Sequence, residues 1–153
     1  MILNRQRRVR VPAQELRRFL ARARRALRLP SDSVTVCLVS DSTMARWNRA
    51  YRRKSGATDV LSFPVAGGSE RRNQRDSSVP FASPSSSASY LGDIAIAPAV
   101  ARRNAFRLGR TFSEEMRILI LHGMLHLMGY DHETDNGRME RRERRLRRDL
   151  GLA

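Results

Sequence analysis

Residues 122 to 132 read H-G-M-L-H-L-M-G-Y-D-H and contain all three histidines of the 153-residue chain, His122, His126 and His132. The stretch continues the apolar run L-I-L-H-G-M-L-H-L-M, which has no proline and predicts a buried helix. On such a helix the i, i+4 spacing of His122 and His126 puts both imidazoles on one face. Gly129 offers the left-handed backbone that ends many helices, and Tyr130 and Asp131 let the chain turn so that His132 returns toward the same point. Three neutral nitrogen donors around an open fourth position form the ligand set of a catalytic zinc site, whereas a structural site is closed by four protein ligands. One metal ion per chain, on His122, His126 and His132, is therefore expected; Zn2+ is the first choice, and three imidazoles also suit nickel, copper or iron.

The rest of the chain bounds what such an ion would serve. A chain of 153 residues with 41% hydrophobic content suits one metallohydrolase domain spanning residues 1–153. The single cysteine, Cys37, lies in V-T-V-C-L-V and reads as a buried strand residue. No run approaches the roughly 18–20 apolar residues of a membrane span, and no apolar signal core follows Met1, so a cytoplasmic location is expected. Lys+Arg number 30 against 15 Asp+Glu, a formal charge of +15, which favours a polyanionic partner such as RNA.

Outward from the histidines, the pattern predicts the order β α β α β β α α α. An N-terminal strand within residues 1–11 precedes a helix opened by Pro12, with Leu16, Phe19, Leu20, Ala23 and Leu27 at helical spacing and arginines elsewhere. The β-branched run at 33–39 is a buried strand, and Asp41 or Ser42 is expected to cap a short helix bearing Met44, Trp47 and Tyr51. T-D-V-L-S-F-P at 58–64 and L-G-D-I-A-I-A at 91–97 are strands, separated by a Ser-rich segment, 66–89, expected to be a long disordered loop. Pro98 starts a helix ending at Gly109, and Thr111 with Glu114 forms a capping-box signal for the histidine helix. In the last helix Met139, Leu146 and Leu150 share one face, while Glu140 and Glu143 read with the many arginines as a solvated, salt-bridged surface. The two strands flanking the Ser-rich loop adjoin without a helix between them. The expected fold is therefore α+β, a small mixed sheet of about four strands covered by about five helices, with the metal site on a central buried helix.

A zinc-like ion lowers the pKa of bound water from about 15.7 to about 7, so hydrolysis is the favoured reaction. The spacing H-x-x-x-H-x-x-G-x-x-H matches the long zinc-protease signature except at Gly123, where those proteases carry the glutamate that takes the proton from water. Gly123 has no such group. A phosphodiester relaxes the requirement, because its own anionic oxygen can help position the water while arginine stabilises the charge.

The chain resembles the YbeY endoribonuclease family. The resemblance rests on H-G-M-L-H-L-M-G-Y-D-H, on N-R-A-Y-R-R-K-S-G-A-T-D-V-L-S-F-P at 48–64 and on L-G-D-I-A-I-A at 91–97. It implies a metal-dependent, single-strand-specific endoribonuclease acting in ribosomal RNA processing, at the 3′ end of the small-subunit RNA, and in ribosome quality control. It further implies zinc on His122, His126 and His132, a functional arginine at Arg52, and ribosomal RNA with ribosome-associated proteins as partners. Asp59 and Asp93 match family positions and are expected to act in structural or supporting roles. The chain departs from the family pattern at Ala57, where proline is usual, and in the length of the Ser-rich loop. Two alternatives stay open from the residues alone: a zinc metallopeptidase, and a non-catalytic ribosome-assembly factor with a structural metal.

Overall fold

The computed structural model describes residues 1–65, 90–131 and 135–152. Its strands β1 (Ile2–Asn4), β2 (Val34–Leu38), β3 (Val60–Pro64) and β4 (Gly92–Ile96) stand in the order β1-β2-β4-β3. β1, β2 and β4 run parallel, whereas β3 pairs antiparallel with β4 in the register Phe63 to Asp93 and Leu61 to Ala95. The sheet is thus mixed, with β3 and β4 paired directly as the sequence suggested; the connecting segment 66–89, and the disorder expected of it, lie outside the described residues.

Among the described residues five helices cover the sheet: α1 (Ala13–Ala26), α2 (Asp41–Arg52), α3 (Pro98–Leu108), α4 (Phe112–Leu127) and α5 (Arg138–Asp149). One face of the sheet, with Val34, Val36, Leu38, Ile94 and Ile96, packs against the apolar sides of α1, α4 and α5. The opposite face, with Cys37, Leu61, Phe63 and Ala95, packs against Met44 and Trp47 of α2. Fully burying a side chain of this size contributes about 1.5–3 kcal/mol, so the two cores hold the sandwich together. Among the described residues no helix is long and apolar enough to cross a membrane.

Local signals explain most boundaries. Thr111 Oγ1 accepts from the Glu114 amide at 3.1 Å, and Glu114 Oε2 accepts from the Thr111 amide at 3.1 Å, closing the expected box at the start of α4. Gly129, at φ 97°, takes the left-handed backbone beyond the end of that helix. The cap of α2 is Ser40, one residue earlier than expected. Its extended backbone lets Oγ accept from the Thr43 amide at 3.2 Å, a geometry that Asp41, already helical, cannot adopt. The N-terminal strand is also shorter than expected, because after Asn4 the chain turns on Gln6, whose side chain bonds both Asn4 and the Val9 backbone.

Helix α4 approaches the sheet closely at Gly123. A Cβ there would lie 2.8 Å from Ile94 Cγ2 and 2.9 Å from its Cδ1, and Ile94 is itself fully buried. α4 therefore needs glycine at this point to reach β4. Ser62 Oγ donates to the Gly123 carbonyl at 3.3 Å, tying β3 to the same turn.

Two predictions follow from this packing. Gly123→Ala lowers the urea midpoint by the equivalent of about 1–3 kcal/mol, because overpacking against a β-branched neighbour outweighs the helix propensity of roughly 1 kcal/mol gained; an unchanged or raised midpoint would show that Ile94 yields freely. The second concerns alkaline stability. Burial pushes the Cys37 thiol up from 9.0 to about 11. Between those values the unfolded chain has lost a proton that the folded chain keeps, so stability falls as pH rises through this window. Denaturation midpoints measured from pH 8.5 to 11 should decline in the wild type and decline less in Cys37→Ala.

Candidate active site

On α4, His122 and His126 stand one turn apart, with ring centroids 4.7 Å apart and planes at 77°. Their Nε2 atoms approach to 3.1 Å. For zinc with nitrogen ligands at about 2.0–2.1 Å, two tetrahedral positions lie about 3.3–3.4 Å apart, so the pair already has nearly the bite of one ion. Two imidazole nitrogens brought together at one point are a donor set that a transition metal suits well. Among the described residues no cluster of three metal-binding side chains occurs. The expected third donor, His132, lies outside those residues.

Both imidazoles open on a cleft of about 530 Å³, whose other walls come from α2 and β3. Its lining includes Tyr51 and Arg52 from the C-terminal end of α2, Asp59, Ser62, Phe63 and Pro64 from β3 and the residue before it, and Asp131 just beyond the end of α4. Arg52 is exposed and lines the cleft. Arg53 caps α2 in the left-handed region at φ 53°, and Asn48 Nδ2 donates to the Gly56 carbonyl at 2.9 Å. These two features turn the chain from α2 back into β3. Phe63 packs edge-on against Tyr51 at 5.1 Å and against Trp47 at 6.0 Å, which roots the wall in the α2 core.

The two aspartates singled out by resemblance separate here. Asp59 lines the cleft and accepts from Asn104 Nδ2 of α3 at 3.2 Å. Asp93 is 6% exposed and does not line the cleft; the Tyr90 hydroxyl, which is 2.9 Å from Thr35 Oγ1, donates to its carboxylate. Burial holds the Asp93 carboxyl above its usual range, with the Tyr90 bond opposing this only in part. Burial, then the bond to Asp93, pushes the Tyr90 hydroxyl up to about 12.

One residue contradicts its sequence reading. Glu143 does not belong to the solvated face of α5: its side chain is 13% exposed, and Oε1 lies 3.3 Å from His122 Nδ1 and 3.7 Å from Arg147 Nη2. Glu140 does behave as expected, pairing with Arg144 at 2.8 Å on the surface. Burial alone pushes the Glu143 carboxyl up, but the hydrogen bond and charge of His122, with Arg147 and His126 behind, outweigh it and hold the group below the usual carboxylate range. The signal was present in the spacing. Met139, Glu143, Leu146 and Leu150 fall at intervals of four, three and four, so the glutamate occupies a slot on the buried stripe. Ser62 and Phe63 were read only as strand residues, and nothing local to β3 marks them as lining the cleft.

An α+β sandwich whose central helix presents paired imidazoles to a cleft also lined by an arginine has the outline of a hydrolase that acts on an anionic substrate. The comparisons specify the kind. The family model described as Endoribonuclease YbeY matches residues 1–151, and the chain belongs to that family. An Endoribonuclease YbeY of Koribacter versatilis (strain Ellin345) is 42% identical over 142 residues, covering 93% of this chain and 80% of that protein. One from Sulfurovum sp. (strain NBC37-1) is 35% identical over 124 residues, 81% of this chain and 76% of its own. The fold is similar to the solution structure of TM1509 from Thermotoga maritima, with a TM-score of 0.60 at 23% identity over 98% of this chain and 89% of that one.

Proposed function

We propose that this chain hydrolyses phosphodiester bonds within single-stranded RNA in the cytoplasm, with Zn2+ held by His122, His126 and His132 and with Arg52 on the phosphate. Endoribonuclease activity in ribosomal RNA processing follows from family membership. Maturation of the small-subunit RNA 3′ end, with ribosome-associated proteins as partners, is the setting we infer. The observation that carries the reading is the convergence of the His122 and His126 Nε2 atoms, 3.1 Å apart, on the cleft that Arg52 also lines.

When bound, the ion would supply a nucleophilic water and charge neutralisation for a phosphoryl oxygen. The chain's own residues do the rest. Arg52, exposed and lining the cleft, can make two parallel N–H bonds to phosphate oxygens and stabilise the charge that builds on them. Asp131 and Asp59 both line this cleft and are the carboxylates that would take up the proton released in hydrolysis. The cleft opens on a chain with an excess of 15 positive charges, which attracts RNA from a distance and does so less at high salt. A peptidase reading finds no support here, because the contact of Gly123 with Ile94 leaves no room for the glutamate that such enzymes carry at this position.

The test is cleavage of a labelled single-stranded RNA by purified protein, alongside metal content. His126→Ala is expected to lose bound zinc and cleavage together. Arg52→Ala should keep the metal and lose about 10²–10³-fold in cleavage rate, the usual effect of deleting one transition-state donor. Undiminished cleavage by His126→Ala would assign the activity to a contaminant. In a separate experiment, removal of metal by a chelator should stop cleavage, and zinc alone should restore it.

A further inference from the structure

A largely covered carboxylate on an apolar stripe needs a reason. Met139, Leu146 and Leu150 are 1%, 3% and 6% exposed, and Glu143 stands among them where a leucine would fill the same slot of α5. Removing a carboxylate from water costs several kcal/mol unless its oxygens find partners. Glu143 has two such partners: His122 Nδ1 at 3.3 Å and Arg147 Nη2 at 3.7 Å.

The contact with His122 has a chemical consequence. A neutral imidazole carries one N–H, and a carboxylate facing Nδ1 can only accept, so the proton is drawn to Nδ1. That leaves the Nε2 lone pair exposed, and Nε2 is the atom turned toward His126 Nε2 at 3.1 Å. We propose that Glu143 is a positioning residue of the paired imidazoles: it holds His122 as the Nδ1–H tautomer and fixes the ring so that Nε2 faces the cleft as a metal ligand. This rests on the metal-binding reading given above and deepens it. Arg147, one turn further along α5, stands behind the same oxygen and tempers its charge, while the apolar contacts of Met139 and Leu146 hold the helix in place. The arrangement is the carboxylate–histidine–metal relay, in which the outer group sets ligand tautomer, orientation and basicity.

The experiment compares Glu143→Gln and Glu143→Leu with the wild type and with His126→Ala. Zinc affinity is measured by competition with a chromophoric chelator, the His122 tautomer by ¹⁵N NMR of the imidazole nitrogens, and the fold by melting of the metal-free protein. Glu143→Leu should weaken zinc binding about 10–100-fold and lose the Nδ1–H signature. Glu143→Gln, whose amide oxygen can still accept from Nδ1–H, should keep that signature and lose less affinity than the leucine variant. Wild-type affinity in Glu143→Leu would overturn the proposal, as would equal losses in both variants with the His122 tautomer unchanged. If the leucine variant does not fold, the glutamine variant decides: the Nδ1–H tautomer supports the proposal and the Nε2–H tautomer overturns it. Absence of zinc uptake by the wild type, unchanged in His126→Ala, would instead overturn the metal-binding reading itself.

Discussion

Helix α4 can lie against the sheet only because residue 123 has no side chain. The Ile94 side chain fills the space a Cβ would need, at 2.8–3.0 Å, and Ile94 in turn belongs to the fully buried strand β4. That close approach sets where the histidines stand. His122 precedes Gly123 directly and His126 follows one turn after, so both leave the helix on the side that faces β3 and the cleft. The same residue therefore has two meanings. Chemically it is the position that lacks a protease-like carboxylate; mechanically it is the contact that brings a ligand-bearing helix to the sheet.

The opposite wall depends on a different set of forces. Tyr51 and Arg52 are neighbours at the end of α2, yet they behave differently: Tyr51 packs on Phe63, whereas Arg52 remains exposed. The helix ends there because Arg53 takes a left-handed backbone, and Asn48 holds the returning loop through Gly56. Aromatic packing thus anchors the wall, and the cation is carried at its edge, where water still reaches it and a phosphate could replace that water. The strand that lines this cleft is the antiparallel β3, so the strand that reverses direction also brings Ser62 and Phe63 to the same cleft as the imidazoles.

Charge on this protein divides by depth. Most arginines of α1 and α5 are exposed and form a diffuse cationic surface. Among the described residues the two buried acids, and one that is half-buried, are each paired: Glu115 with Arg110 at 2.9 Å, Asp93 with Tyr90, and Glu143 with His122. Such pairs fix geometry more than they add stability, because desolvation consumes much of the attraction. In an arginine-rich chain the informative charges are accordingly the acidic ones that have left the surface.

Much of this was legible in the linear chain. The strands and helices that carry Val34 to Leu38, Thr111 with Glu114, Pro98 with Gly109, and Gly129 are dictated by contacts between near neighbours, and these interactions act whatever the rest of the molecule does. The i, i+4 histidine pair and its place on a buried helix follow from the same local periodicity. What only the tertiary structure decided are the contacts between residues far apart in sequence: Ser62 with Gly123, Ile94 with Gly123, and Glu143 with His122. Glu143 shows the limit most plainly. Its spacing puts it on the buried stripe of α5, but a stripe position says only that the side chain points inward. Whether a carboxylate there finds water, an arginine or an imidazole depends on which helix packs opposite, and that is settled by the summed burial of apolar surface across the whole fold.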